Sequence, residues 1–154
     1  MKRRVRGQSL VEMALVLPFL VLFTIGTAEL SYYIYSYSEL ENAARRASEW
    51  ASKTPPLDPG NANDPGDQCL VLIKQHAIDG VFLSRLQPSN VTISFPGEGR
   101  RAVGAQVQAN VTYQGQWLSP IGRRFFGNAL KFNFTSIRTI TDTSPPPGLD
   151  DQCE

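Results

Sequence analysis

The chain has 154 residues, with 15 Lys plus Arg against 14 Asp plus Glu, one His and a formal net charge of +1. That length fits one domain with a modest core, and 42% apolar with 19% charged residues argues against a largely disordered chain. Near-neutral charge argues against a broad basic surface for nucleic acid, and a single His excludes multi-histidine metal sites or catalysis.

The charges are unevenly placed. Lys2, Arg3, Arg4 and Arg6 all precede the first acidic residue, Glu12. Met13 to Ala28 (MALVLPFLVLFTIGTA) carries no charge, and after Glu29 the apolar and aromatic pattern resumes as LSYYIYSY. From Met13 to Ile34 a helix rises about 33 Å, enough to cross a bilayer core. Basic residues before the span and Glu39 and Glu41 after it predict a cytoplasmic N-terminus and an exported remainder. Tyr32, Tyr33, Tyr35 and Tyr37 fall at the outer end, where amphipathic rings favour the headgroup level. A cleavable secretory signal shares the basic start and apolar middle, and Gly26-Thr27-Ala28 would be its cleavage site. The helical pattern, however, runs on into Ala51 without a turn residue, so a retained anchor is expected. Glu29 is expected at the outer interface, reaching headgroup water. Glu12 stands at the inner edge of the span, where an acid is costly unless a cation such as Arg6 compensates it.

The stretch Arg6-Gly7-Gln8-Ser9-Leu10-Val11-Glu12, the apolar run with Pro18, Glu29 and then Leu40-Glu41-Asn42-Ala43-Ala44-Arg45 resembles the TadE-like family. These are pilin-like (pseudopilin) proteins of the bacterial tight-adherence (Tad/Flp) pilus system, and the likeness covers about residues 6 to 52. The resemblance implies that prepilin peptidase cuts Gly7–Gln8 on the cytoplasmic side, leaving Gln8 as the new N-terminus. Cleavage would leave 147 residues with 11 basic against 14 acidic side chains, so the exported subunit is acidic. In a helix bundle, Glu12 would then neutralise the Gln8 amine of a neighbour, an ion pair that fixes axial stagger. Pro18 is tolerated in a membrane helix, with a kink as the local outcome. The major pilins are very short and commonly have an aromatic where Met13 stands. This chain, with about a hundred residues beyond the helix, therefore points to a minor pilin or pseudopilin.

Beyond the span, Leu40, Ala43, Ala44, Ala47, Trp50 and Ala51 share one helical face. Glu41 with Arg45, and Arg45 with Glu49, are expected i,i+4 pairs. One helix is expected from near Gln8 to Ser52, ended by Thr54-Pro55-Pro56. The loop 55–67 carries Asp58, Asn61, Asn63, Asp64 and Asp67, whose spacing fits turn chemistry better than a calcium site. Asp67 is expected to cap a helix over Gln68 to Leu83, with Leu70, Ile73, Ala77 and Val81 buried. His76, near Asp79, receives no function. Asn90 to Phe95, Ala102 to Tyr113 and Lys131 to Thr141 alternate as three strands of a small antiparallel sheet, packed on the upper half of the long helix. Gln116 to Ala129, with Trp117, Ile121, Arg123, Arg124, Phe125 and Phe126, reads as a short amphipathic helix or a loop whose aromatics enter the core. The sequon-like Asn90-Val91-Thr92, Asn110-Val111-Thr112 and Asn133-Phe134-Thr135 lie in predicted strands, where Thr is favoured for its β-propensity. Residues 143 to 149 (TSPPPGL) read as a non-regular tail. Cys69 and Cys153 are expected to pair after export, which in the entropic description of a long closed loop stabilises by about 3–5 kcal/mol.

The expected architecture is α+β: a leader over 1–7, a helix over 8–52 with its membrane part at about 13–34, and an exported head over 53–154. No catalytic set, metal site or cofactor is expected. The partners implied by the resemblance are prepilin peptidase, other pilins, the Tad secretion machinery and the lipid membrane, with no nucleic acid. The location is the bacterial inner membrane, single-pass, or the cell exterior once in a fibre. The rival reading is an uncleaved, membrane-anchored periplasmic binding module; an enzyme comes third.

Overall fold

The computed structural model describes residues 5–53, 66–83, 86–96, 102–127 and 129–141, except for the side chains of 5–7 and 125. Its elements are helices α1 (Val5–Ala51), α2 (Gln68–Ile78) and α3 (Pro120–Phe126), and strands β1 (Val91–Ser94), β2 (Gln106–Gly115) and β3 (Leu130–Thr139). This is the expected α+β arrangement. Two compact units divide the chain: residues 1–35 with 116–129, and residues 36–115 with 130–154.

In the first unit, α1 is apolar around its whole circumference and has no protein cover over most of it. Leu10, Phe19 and Phe23 are 71%, 70% and 71% exposed, which water would not tolerate along so long a surface. Among the described residues α1 is the one helix long and apolar enough to cross a membrane. Three of its hydroxyls bond back to the helix itself. Thr24 Oγ1 donates to the Leu20 carbonyl at 2.8 Å, Thr27 Oγ1 to Thr24 at 2.9 Å and Ser31 Oγ to Thr27 at 2.8 Å. In lipid such bonds remove donors that would otherwise have no partner. Pro18 lies inside α1, which continues through it.

The second unit uses a different face of chemistry on the same helix. From Ser36 onward one stripe is buried: Ser36, Leu40, Ala43, Ala44, Ala47, Ser48 and Ala51. That spacing is the i, i+4, i+7 pattern of a helix packed on one side. Tyr37 meets Phe134 of β3 edge-on at 4.7 Å between ring centroids. Ser48 and Ser136 share a hydrogen bond at 2.8 Å, and Arg138 lies 3.8 Å from Glu49. The small side chains are what allow the strand to come this close to the helix.

The sheet order is β1-β2-β3, antiparallel throughout, with Val91 opposite Val111 and Gln106 to Gly115 opposite Thr139 to Leu130. Val91, Ile93, Val107, Ala109, Val111, Tyr113 and Phe132 line its buried face, as the alternation predicts. The polar face is cross-linked by Asn110 Nδ2, which donates to Asn133 Oδ1 at 2.7 Å and Thr135 Oγ1 at 2.9 Å. These asparagines therefore have cross-strand work of their own. Asn90 instead closes a 3-10 turn, Pro88–Asn90, by accepting from the Gln87 N–H at 2.9 Å.

Several boundaries differ from expectation. Asp67 caps α2 by accepting from the Cys69 N–H at 3.0 Å, and Leu70, Ile73 and Ala77 are buried as predicted. The helix stops at Ile78, five residues early, because Asp79 is extended and Gly80 has φ +75°. Val81 is consequently only half-buried, while Leu83 is buried. The second strand starts at Gln106, because Val103 and Gly104 (φ +90°) form a turn that leaves Val103 exposed. Arg45 pairs with Glu41 at 2.6 Å, but not with Glu49, whose carboxylate faces Lys53 at 3.9 Å and Arg138.

Replacing Ala47, which is fully buried, with Leu should overpack this unit. The expected loss is about 1–3 kcal/mol, read as a lower midpoint of thermal unfolding of the full chain in detergent. Glu41→Gln, which removes an exposed ion pair, should change the midpoint little.

Candidate functional site

The residues singled out for processing and assembly lie at the start of α1. Gly7 and Gln8 are in its first turns, and Gln8 and Glu12 are one helical turn apart on an exposed face. Gln8 Nε2 donates to Glu12 Oε1 at 3.2 Å. An acid at the start of the apolar run is thus met by its own helix, while the side chain of Arg6, its expected partner, lies outside the described atoms.

Glu29 differs from expectation. It is buried, with 7% of its surface exposed. Its two carboxylate oxygens accept the backbone N–H groups of Leu118 at 3.1 Å and Ser119 at 2.6 Å. Both donors belong to the link between β2 and β3, at the entry to α3. The local sequence explains the fit. Ser119 is the N-cap of α3, accepting from the Gly122 N–H at 3.0 Å, and Pro120 occupies the first helical position, where its missing N–H does no harm. The remaining N–H groups at that entry are free to turn toward the carboxylate. A Cβ at Gly122 would stand 2.8 Å from Glu29 Oε1 and 3.1 Å from Trp117 Cβ, so a larger residue there makes the carboxylate shift.

Trp117 and Phe126 do not enter a core as expected, and the side chain of Phe125 lies outside the described atoms. Trp117 is half-buried, its ring 5.0 Å from that of Phe126 at 31°, and its indole N–H is buried without an acceptor. Phe126, Leu118 and Ile121 are 70%, 60% and 40% exposed. Beside Glu29, Trp117, Ile121 and Phe126 border an apolar groove of about 450 Å³ with Leu22, Ile25, Leu30 and Tyr33. Sequence reasoning missed this junction. Its signals were a carboxylate late in an apolar run and the Ser-Pro-x-Gly cap of 119–122.

Several other named residues lie outside the described ones. Cys69 is buried in the first turn of α2, whereas Cys153 lies outside the described residues. Asp58, Asn61, Asn63 and Asp64 and the 143–149 tail also lie outside them, and Asp67 is used as a cap. His76 stacks on Trp50 at 4.9 Å and bonds the Leu72 carbonyl at 3.1 Å. Among the described residues no group of three or more His, Cys, Asp or Glu is placed to hold a metal.

A model of the TadE-like protein family matches residues 7–49. No curated protein and no solved structure matches the chain significantly. The TadE-like segment contains Gly7, Gln8, Glu12, Pro18 and Glu29 and stops two residues before α1 ends. It is therefore a match of the long helix, with α2, α3 and the sheet outside it. The helix is compatible with single-pass membrane anchoring.

Glu29→Ala should leave the Leu118 and Ser119 amides without their acceptor. Loss of two hydrogen bonds to a charged group predicts about tenfold to hundredfold faster amide hydrogen exchange at 118–119, with exchange across β1–β3 unchanged. Gly122→Ala should loosen the same amides.

Proposed function

We propose that the chain is a minor pilin or pseudopilin of a tight-adherence, type IV-like pilus, acting in surface attachment as a structural component and not as an enzyme. The observation that carries the proposal is the TadE-like match, which begins at Gly7 and covers the helix through Glu49. In this reading residues 1–7 are a cytoplasmic leader, the head is exported, and prepilin peptidase cleaves Gly7–Gln8. The one-turn spacing of Gln8 and Glu12 supports it. Once Gln8 carries a free amine, the carboxylate one turn above it can pair with the amine of an adjacent subunit. Such a pair is stable in an apolar bundle only when both charges are matched, so it selects one stagger between helices.

The partners in this reading are prepilin peptidase, other pilins of the Tad machinery and the inner membrane. Pro18 would bend the span locally. We further assign a Cys69–Cys153 bridge, which would tie the C-terminus to the start of α2 in an oxidising compartment.

Intact-mass spectrometry of the protein from a membrane fraction should show a chain starting at Gln8, and Gly7→Val should return it to full length. A chain retaining residues 1–7 in the wild type favours the rival reading, an uncleaved binding module that uses α1 as a tether. The same non-reduced spectrum should lack the two thiol hydrogens of Cys69 and Cys153; retained thiols remove the bridge.

Glu12→Ala should leave membrane insertion and cleavage intact but lower recovery of the protein in sheared pilus fractions by about tenfold or more, the loss expected for one unpaired buried charge. Recovery equal to wild type removes the pairing role and leaves the cleavage reading standing.

A further inference from the structure

We propose that residues 116–127 form an interfacial membrane element: α3 and its flanks sit in the outer-leaflet boundary, with Leu118, Ile121 and Phe126 among acyl chains and Arg123 and Arg124 on anionic lipid phosphates. The inference needs α1 to span a bilayer but does not need the pilus role.

Depth is the first argument. The amides of Leu118 and Ser119 are held by Glu29, and Gly122 packs against the same carboxylate. The segment's height along α1 is therefore set. Glu29 lies five residues, or about 7.5 Å, inside Ile34, the outer end of the apolar run. Amphipathic helices that lie on membranes bury their apolar face by about 5–10 Å, which is the same depth.

The surface itself is the second argument. Leu118, Ile121 and Phe126 are exposed on a short link that also exposes Arg123 and Arg124. A link between strands in water has no reason to present that many large apolar groups. Long cationic stems beside them are suited to reach phosphates from a partly immersed position. Continuity is the third. The groove beside Glu29 opens onto Leu22 and Leu30, which are 60% and 59% exposed on the span itself. Whatever solvates those two residues also meets the groove, and on a membrane helix that is an acyl chain. The groove's lining is almost wholly apolar, as a hydrocarbon occupant requires.

The test uses the full chain reconstituted in phosphatidylcholine–phosphatidylglycerol vesicles. The chain has two tryptophans, Trp50 and Trp117. Trp50→Phe leaves native Trp117 as one reporter, and Trp50→Phe/Trp117→Phe/Phe126→Trp supplies a second. Phe19→Trp in the tryptophan-free background reports insertion of the span. Lipids brominated near the ester end of the acyl chain should quench both segment reporters by about twofold. Lipids brominated near the chain terminus should instead quench Phe19→Trp. Arg123→Gln/Arg124→Gln should weaken segment quenching in anionic vesicles and leave it unchanged in pure phosphatidylcholine.

Segment reporters quenched by aqueous iodide and not by brominated lipid overturn the proposal while a quenched Phe19→Trp keeps the membrane anchor. Reporters shielded from both quenchers overturn it in favour of a second protein copy on this face. Loss of Phe19→Trp quenching as well overturns the anchor and the proposal together. An arginine variant that matches the parent chain in anionic vesicles overturns the phosphate contact.

Discussion

A helix that crosses hydrocarbon must satisfy its own backbone, and α1 runs for 47 residues without a break. That continuity is the constraint from which the rest follows. Because no turn intervenes, the same helix is apolar and exposed all round over 10–23 and one-sided where a protein core meets it. The change is visible between the exposed leucines and phenylalanines of 10–23 and the buried stripe that starts at Ser36. The hydroxyls of Thr24, Thr27 and Ser31 bond back to carbonyls of the preceding turn, so internal satisfaction extends to side chains.

The two carboxylates of this helix meet that constraint in different ways. Glu12, at the edge, is held by an amide one turn away and remains exposed. Glu29, deeper along the chain, is enclosed and receives two backbone N–H groups from a segment nearly ninety residues further on. A charged group in apolar surroundings acquires donors or is excluded. Here the donors come from the entry of α3, where the N-cap serine and the following proline leave amides available. Glu29 is thereby a positioning residue for a stretch that would otherwise be an unanchored link between two strands.

Much of the second unit was legible from periodicity alone. The stripe of Leu40, Ala43, Ala44, Ala47 and Ala51, the cap by Asp67 and the alternation of Val107 through Tyr113 are local patterns, and burial follows them closely. Where expectation failed, a backbone feature overrode a side-chain pattern. Gly80 and Gly104 both take left-handed conformations, ending α2 early and delaying β2, although the apolar spacing continued through both places. The misassigned Arg45–Glu49 pair has another origin: Glu49 was within reach on the helix, but β3 brought Arg138 to it instead.

By itself the sequence determined the long apolar helix, its basic start, the α+β class and the strand pattern, because each depends on residues a few positions apart. Only the tertiary structure decided the fate of Glu29 and of the aromatics around Trp117. A carboxylate in an apolar run carries no local sign of its partner, and the amides that answer it are backbone groups every residue possesses. Their availability is a property of how the link at 116–122 folds. Such a pairing emerges only when distant segments are brought within 3 Å of one another.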